Sequence, residues 1–132
     1  MKRIFVAALL AAAVSGPAFA QAYSAGSGLR FTPIENGVRI EGETGHGARG
    51  TWCGAAEYMQ AELGARGDQD IYVSEPRQRG FGKSNAVSFT LDPTGLTPSD
   101  VFIVGPSLTR KGARLSVNHA LTFCAALRLP SR

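Results

Sequence analysis

Between residues 29 and 41 apolar and polar positions alternate. Leu29, Phe31 and Pro33 interleave with Arg30 and Thr32, the two-residue period of a half-buried strand. The proline favours an edge position because it has no N–H to donate to a neighbour. Glu35-Asn36-Gly37 offers a tight turn, and Val38 and Ile40 then interleave with Arg39 and Glu41, so the stretch predicts a β-hairpin. Residues 42–50 (GETGHGARG) hold four glycines in nine positions and read as a loop. Beyond it the period lengthens. Trp52, Ala56, Met59 and Leu63 are spaced by four, three and four, which places them on one face of an amphipathic helix. Thr51 can cap its start and Gly64 can end it.

Ile71-Tyr72-Val73 returns to strand character. In 85–91 (NAVSFTL) the alternation predicts Val87, Phe89 and Leu91 buried and Ser88 and Thr90 exposed, and Asp92-Pro93-Thr94-Gly95 follows as a turn. Residues 101–104 (VFIV) lack polar alternation and read as a strand covered on both faces. After a turn at 109–112 that carries Arg110 and Lys111, Ser116 caps a second helix. On it Val117, Leu121, Cys124 and Arg128 fall in one line, flanked by Ala120 and Leu127. Trp52, Tyr58, Tyr72 and Phe102 read as core or shoulder residues. Together these elements predict one α+β domain over residues 29–129. It is an antiparallel sheet of about five strands with two helices on one face, in the order β-β-α-β-β-β-α, without internal repeats.

The N-terminus follows a different logic. Met1-Lys2-Arg3 is a short positive segment, residues 4–14 (IFVAALLAAAV) are uncharged, and Ser15-Gly16-Pro17 breaks the helix that run would form. Ala18 and Ala20 place small residues at the positions a signal peptidase reads, so residues 1–20 are expected to be a signal peptide cleaved before Gln21. The 11-residue apolar run is too short to span about 30 Å of hydrocarbon at about 1.5 Å per residue. No later segment is long and apolar enough to hold the mature chain in a membrane. Residues 21–28 are small, polar and glycine-bearing, the composition of a flexible lead-in. The expected location is periplasmic or secreted.

Cleavage changes the charge reading. Losing Lys2 and Arg3 takes the 14 basic residues to 12 against 10 acidic ones, a formal charge of +2 rather than +4. The charges are unevenly spread: residues 35–75 hold 8 acidic and 3 basic groups, residues 76–132 hold 2 and 8. Either the two halves pack together and their charges interleave, or the second half presents a positive patch to an anionic partner.

The chain has two cysteines, Cys53 and Cys124. An even pair in a small domain exported to an oxidising compartment reads as a disulfide. Cys124 lies on the apolar line of the second helix and Cys53 at the shoulder of the first, so a bridge would tie the helices together on one side of the sheet. A zinc site built from His46, Cys53, His119 and Cys124 is disfavoured, because these residues lack close paired-ligand spacing. Thr51-Trp52-Cys53-Gly54 starts like a thioredoxin-type redox site, but the position of the second cysteine is Ala56. Gly82-Lys83-Ser84 ends like a P-loop, but the glycine needed five residues earlier is Arg77, and a strand rather than a helix follows. No cofactor is implied.

Two places remain for function. The first is residues 76–84 (PRQRGFGKS), which join two strands and carry Arg77, Arg79 and Lys83 around one aromatic, Phe81. Cations around an exposed aromatic suit an anionic protein surface or an envelope polymer. One short basic loop is too little to imply nucleic acid. The second is the glycine-rich loop with His46, near Glu41, Glu43 and Glu57, where acid–base chemistry can be built.

The segments TWCGAAEYMQAELG, NAVSFTLDP and LSVNHALTFC resemble a group of small exported proteobacterial proteins of uncharacterised activity, over roughly residues 50–125. The resemblance implies a shared scaffold in which Cys53 and Cys124 form a disulfide. It carries no activity and no catalytic residue. The expectation is therefore a non-enzymatic binding or interaction module, with a small periplasmic hydrolase using the His46 loop as the alternative.

Overall fold

The computed structural model describes residues 28–127. The expected signal peptide at 1–20, most of the lead-in at 21–28, and Arg128 lie outside the described residues. The chain folds as α+β: a six-stranded mixed sheet, mostly antiparallel, with two helices. The elements are β1 (Leu29–Ile34), β2 (Gly37–Gly42), α1 (Gly47–Leu63), β3 (Asp70–Glu75), β4 (Val87–Thr90), β5 (Ser99–Asp100), a 3-10 turn (Gly105–Thr109), β6 (Ala113–Ser116) and α2 (Val117–Leu127).

The sheet order is β1-β2-β4-β3-β6-β5. The first hairpin forms as the alternation predicts, with Ile34 opposite Gly37 and Asn36 taking the left-handed conformation in the two-residue turn (φ 53°). Because β4 pairs antiparallel with both β2 and β3, those two strands run parallel, and α1 is the crossover that connects them. Only the two-residue β5 pairs parallel, against β6.

The core lies between sheet and helices. Val38, Ile40, Ile71, Val73, Val87, Phe89 and Leu115 face Trp52, Ala55, Ala56 and Met59 of α1 and Val117 and Ala120 of α2. The Trp52 ring meets Phe89 edge-on at 5.0 Å. The Trp52 indole N–H donates to Ser107 Oγ at 2.9 Å, so its one polar atom is satisfied within the core. Cys53 and Cys124 form a disulfide with Cα atoms 5.1 Å apart, joining α1 to α2.

The helix ends have identifiable causes. Gly64 takes a left-handed φ of 64° and closes α1 by donating to the Met59 carbonyl. Ser116 Oγ accepts from the His119 N–H and caps α2. The first two N–H groups of α2, at Val117 and Asn118, donate to the carbonyls of Gln69 and Gly67, so strand passes into helix without a loop.

Four expectations are corrected. α1 begins at Gly47, one turn earlier than predicted, so Thr51 is interior and its hydroxyl leans back to the Gly47 carbonyl instead of capping. Ser88 and Thr90 are buried, because β4 is an inner strand, and Thr90 Oγ1 donates to the Asn36 carbonyl. Leu63 is exposed at the last turn of α1. Residues 101–104 are not a strand: Val101 is buried, but Phe102 and Ile103 are 89% and 71% exposed. Strand pairing there ends at Asp100, and the chain turns off the edge toward Gly105-Pro106, where Pro106 sits at the start of the 3-10 turn. The further strand is β6, which lies between the predicted turn at 109–112 and α2 and ends on Ser116, the residue read as a cap.

Candidate functional site

The β3–β4 connection, residues 76–86, leaves the sheet after a bulge between Val73 and Glu75. Its base is clamped. The Arg77 N–H donates to the Leu108 carbonyl at 2.7 Å, and Arg77 Nε donates to the Asn85 carbonyl at 2.9 Å across the mouth of the loop. Arg77 Nη2 is enclosed without a hydrogen-bond partner among the described residues. Arg77 is thus a half-buried anchor, which separates it from the other two cations. Arg79, Phe81 and Lys83 are exposed, and among the described residues neither Arg79 nor Lys83 has an ion-pair partner. Phe81 is fully exposed. The tip turns through Gly80 and Gly82, both at positive φ, with the Lys83 N–H returning to the Gly80 carbonyl.

The charge asymmetry of the sequence is largely folded away. β2 and β3 come from the acidic half, and β4, β6 and β5 from the basic half, so the halves interleave across the sheet. Asp100 accepts from Arg114 Nε at 2.7 Å, and this pairing, with Asp70 nearby, raises the Arg114 pKa above its ordinary value. Among the cations it leaves without an ion pair within the described residues are the two at the loop tip, Arg79 and Lys83.

The two histidines occupy separate hollows. His46, at the start of α1, lines a groove of about 490 Å³ with Gly47, Ala48, Arg49 and the segment Phe102–Gly105. Among the described residues no carboxylate lines that groove, and Glu57 lies one turn beyond Cys53 on α1. His119 lines a second hollow of about 360 Å³ beside Asp70, Asp100, Arg114 and Ser116. Its ring lies 5.7 Å from Phe123, and among the described residues neither imidazole is hydrogen-bonded to a carboxylate. Acid–base groups are thus gathered at His119 rather than at His46.

The Cys53 and Cys124 sulfurs and the Glu57 carboxylate lie within 4.8 Å of one another, the closest approach to a metal-ligand set among the described residues. Both sulfurs are spent in the disulfide, and a coordinating cysteine must be a thiolate. Among the described residues, no helix is long and apolar enough to cross a membrane.

Sequence reasoning missed the pair Phe102 and Ile103, and with it Arg49. The signal available was Gly105-Pro106 directly after the apolar run, which marks a departure from strand geometry. No family model, curated protein or solved structure matches this chain.

Proposed function

We propose that this chain is an exported, non-enzymatic binding module that holds an anionic partner, an acidic protein surface or an envelope polymer, at the tip of the β3–β4 loop. The observation that carries the reading is Phe81, a large aromatic held fully in solvent between two unpaired cations on a loop clamped at its base. An aromatic so placed gains burial only when a partner covers it, and the flanking Arg79 and Lys83 select a negative one. Export is supported by the order of basic, apolar and small residues at 1–20 and by a disulfide between cysteines 71 residues apart, which suits an oxidising compartment.

The test uses immobilised polyglutamate and an anionic polysaccharide, with the wild type and an Arg79→Ala/Phe81→Ser/Lys83→Ala variant that leaves Arg77 in place. Wild-type retention falls between about 0.1 and 1 M salt, as the Debye length shrinks from about 10 to about 3 Å. The variant is retained on neither resin. Equal retention of the two proteins at every salt concentration would reject the reading. A hydrolytic alternative rests on the His119 hollow, with Asp70, Asp100 and Ser116 around it. It requires ester turnover by the purified protein that His119→Ala abolishes.

A further inference from the structure

The groove at the start of α1 has a composition that the loop-tip reading does not use. One wall is the segment Phe102–Gly105, which leaves the sheet edge and exposes Phe102 and Ile103. Two neighbouring large apolar side chains in water are uncommon unless something covers them. The start of α1 contributes His46, Gly47, Ala48 and Arg49 to the same lining.

Among the described residues Arg49 is the only one of fixed charge lining the groove. Its guanidinium lies over the Phe123 ring at 5.8 Å from the centroid, a cation–π contact that orients the group without using its N–H donors. Among the described residues Arg49 has no ion-pair partner, whereas Arg30, Arg39, Arg66 and Arg114 are each paired. An oriented guanidinium with free donors presents a fork that matches a carboxylate.

We infer that this groove is a second docking surface, and that its occupant is an extended acidic peptide that places an apolar side chain against Phe102 and Ile103 and a neighbouring carboxylate on Arg49. Charge complementarity selects the peptide, because among the described residues the lining offers one unpaired cation and no acid. The volume, about 490 Å³, is within the range of ligand sites.

The experiment is amide chemical-shift titration of the isotope-labelled protein with the blocked peptide Asp-Asp-Leu-Phe-Asp-Asp. Controls are a peptide with lysine replacing every aspartate and one with serine replacing leucine and phenylalanine. The expected result is saturable shifts at 46–49 and 102–105 with the acidic–apolar peptide alone. A Phe102→Ser/Ile103→Ser variant binds at least about tenfold more weakly, and so does Arg49→Glu, while Arg49→Lys keeps the charge, loses the fork and falls between. Both serine substitutions are at exposed positions, and an unchanged melting temperature verifies the fold. Phe81→Ser leaves this binding intact, which separates the groove from the loop tip. The proposal is overturned if the variants bind as tightly as wild type, if the lysine peptide binds equally, or if the shifts map to 76–86. It is also overturned if dodecanoate displaces the peptide and itself saturates the groove more tightly. A dimer in sedimentation that Phe102→Ser/Ile103→Ser dissolves would assign the surface to a second copy instead.

Discussion

Replacing both cysteines with alanine tests the largest single contribution that the structure assigns to one covalent contact. The bridge joins residues 71 apart, so it closes most of the described chain into one loop. In the chain-entropy description a loop of that length raises the free energy of the unfolded chain by about 4.4 kcal/mol at 25 °C. A domain of this size has a total stability of about 5–15 kcal/mol, so the bridge is a large fraction of it. The native side loses little by comparison. Cys53 and Cys124 are nearly buried where α1 meets α2, and alanine leaves only the space of two sulfur atoms. At about 4–8 °C per kcal/mol, Cys53→Ala/Cys124→Ala is expected to melt about 20–30 °C below the oxidised wild type.

The assay is thermal and urea unfolding followed by far-ultraviolet circular dichroism, with thiol titration to verify the redox state. Wild type under reductant is the internal control, since it keeps both side chains and lacks only the crosslink. If the chain-entropy argument holds, reduced wild type and the alanine variant melt within a few degrees of each other, both far below the oxidised protein. A drop of less than about 5 °C on reduction would refute it, because a crosslink this far apart in sequence cannot then be constraining the unfolded chain. A large drop in the alanine variant alone would move the contribution from the crosslink to packing between the helices.

Four further outcomes follow from single positions. Trp52→Phe removes the indole N–H that Ser107 Oγ accepts and leaves a void against Phe89, so urea unfolding should show a loss of about 2–3 kcal/mol. Gly112→Ala should cost about 3 kcal/mol in the same assay, because φ is +86° and an added Cβ runs into the Thr97 carbonyl oxygen. Gly82→Ala, also at positive φ but with open space around it, should cost about 1 kcal/mol. The Asp92 carboxylate is held below its ordinary pKa by the Thr94 hydroxyl and then by the Thr94 N–H. Its folded pKa therefore lies below its unfolded one, and its contribution is complete above the ordinary aspartate range and lost as pH falls through the depressed value. Melting temperatures of wild type and Asp92→Ala should differ near neutrality and converge in acid, whereas a constant difference at all pH values would rule out this origin.

The parts of the fold that were legible are those fixed by neighbours in sequence. The β1–β2 hairpin followed from two alternating runs around Asn36, α1 from the spacing of Trp52, Ala56 and Met59, and its end from Gly64. The disulfide followed from two helical positions facing one core. The parts that were not legible depend on contacts far along the chain. β6 has four residues and passes directly into α2, so neither a loop nor a long alternation announces it, and it becomes a strand only because β3 supplies a partner. Ser88 and Thr90 are polar and buried because β4 is inserted between β2 and β3, an order that no local pattern encodes.

The same distinction divides the candidate sites. In sequence Arg77, Arg79 and Lys83 are three equivalent cations around an aromatic, but the nearness of Leu108 and Asn85 turns Arg77 inward and leaves two. In sequence Phe102 is as hydrophobic as Phe89, and burial is predicted for both, from the alternation at 85–91 and from the apolar run at 101–104. Phe89 is covered because Trp52 crosses it, while Phe102 lies beyond the last ladder pair at Asp100, where no strand follows. Burial is a property of what arrives from elsewhere in the chain, so an apolar run at a sheet edge is covered only if another element reaches it. That makes Phe81 and Phe102 informative. Each is an aromatic that the core does not claim, one beside two unpaired cations and the other lining a groove with an unpaired guanidinium, and both cations and rings gain most from a partner that is negative and apolar together.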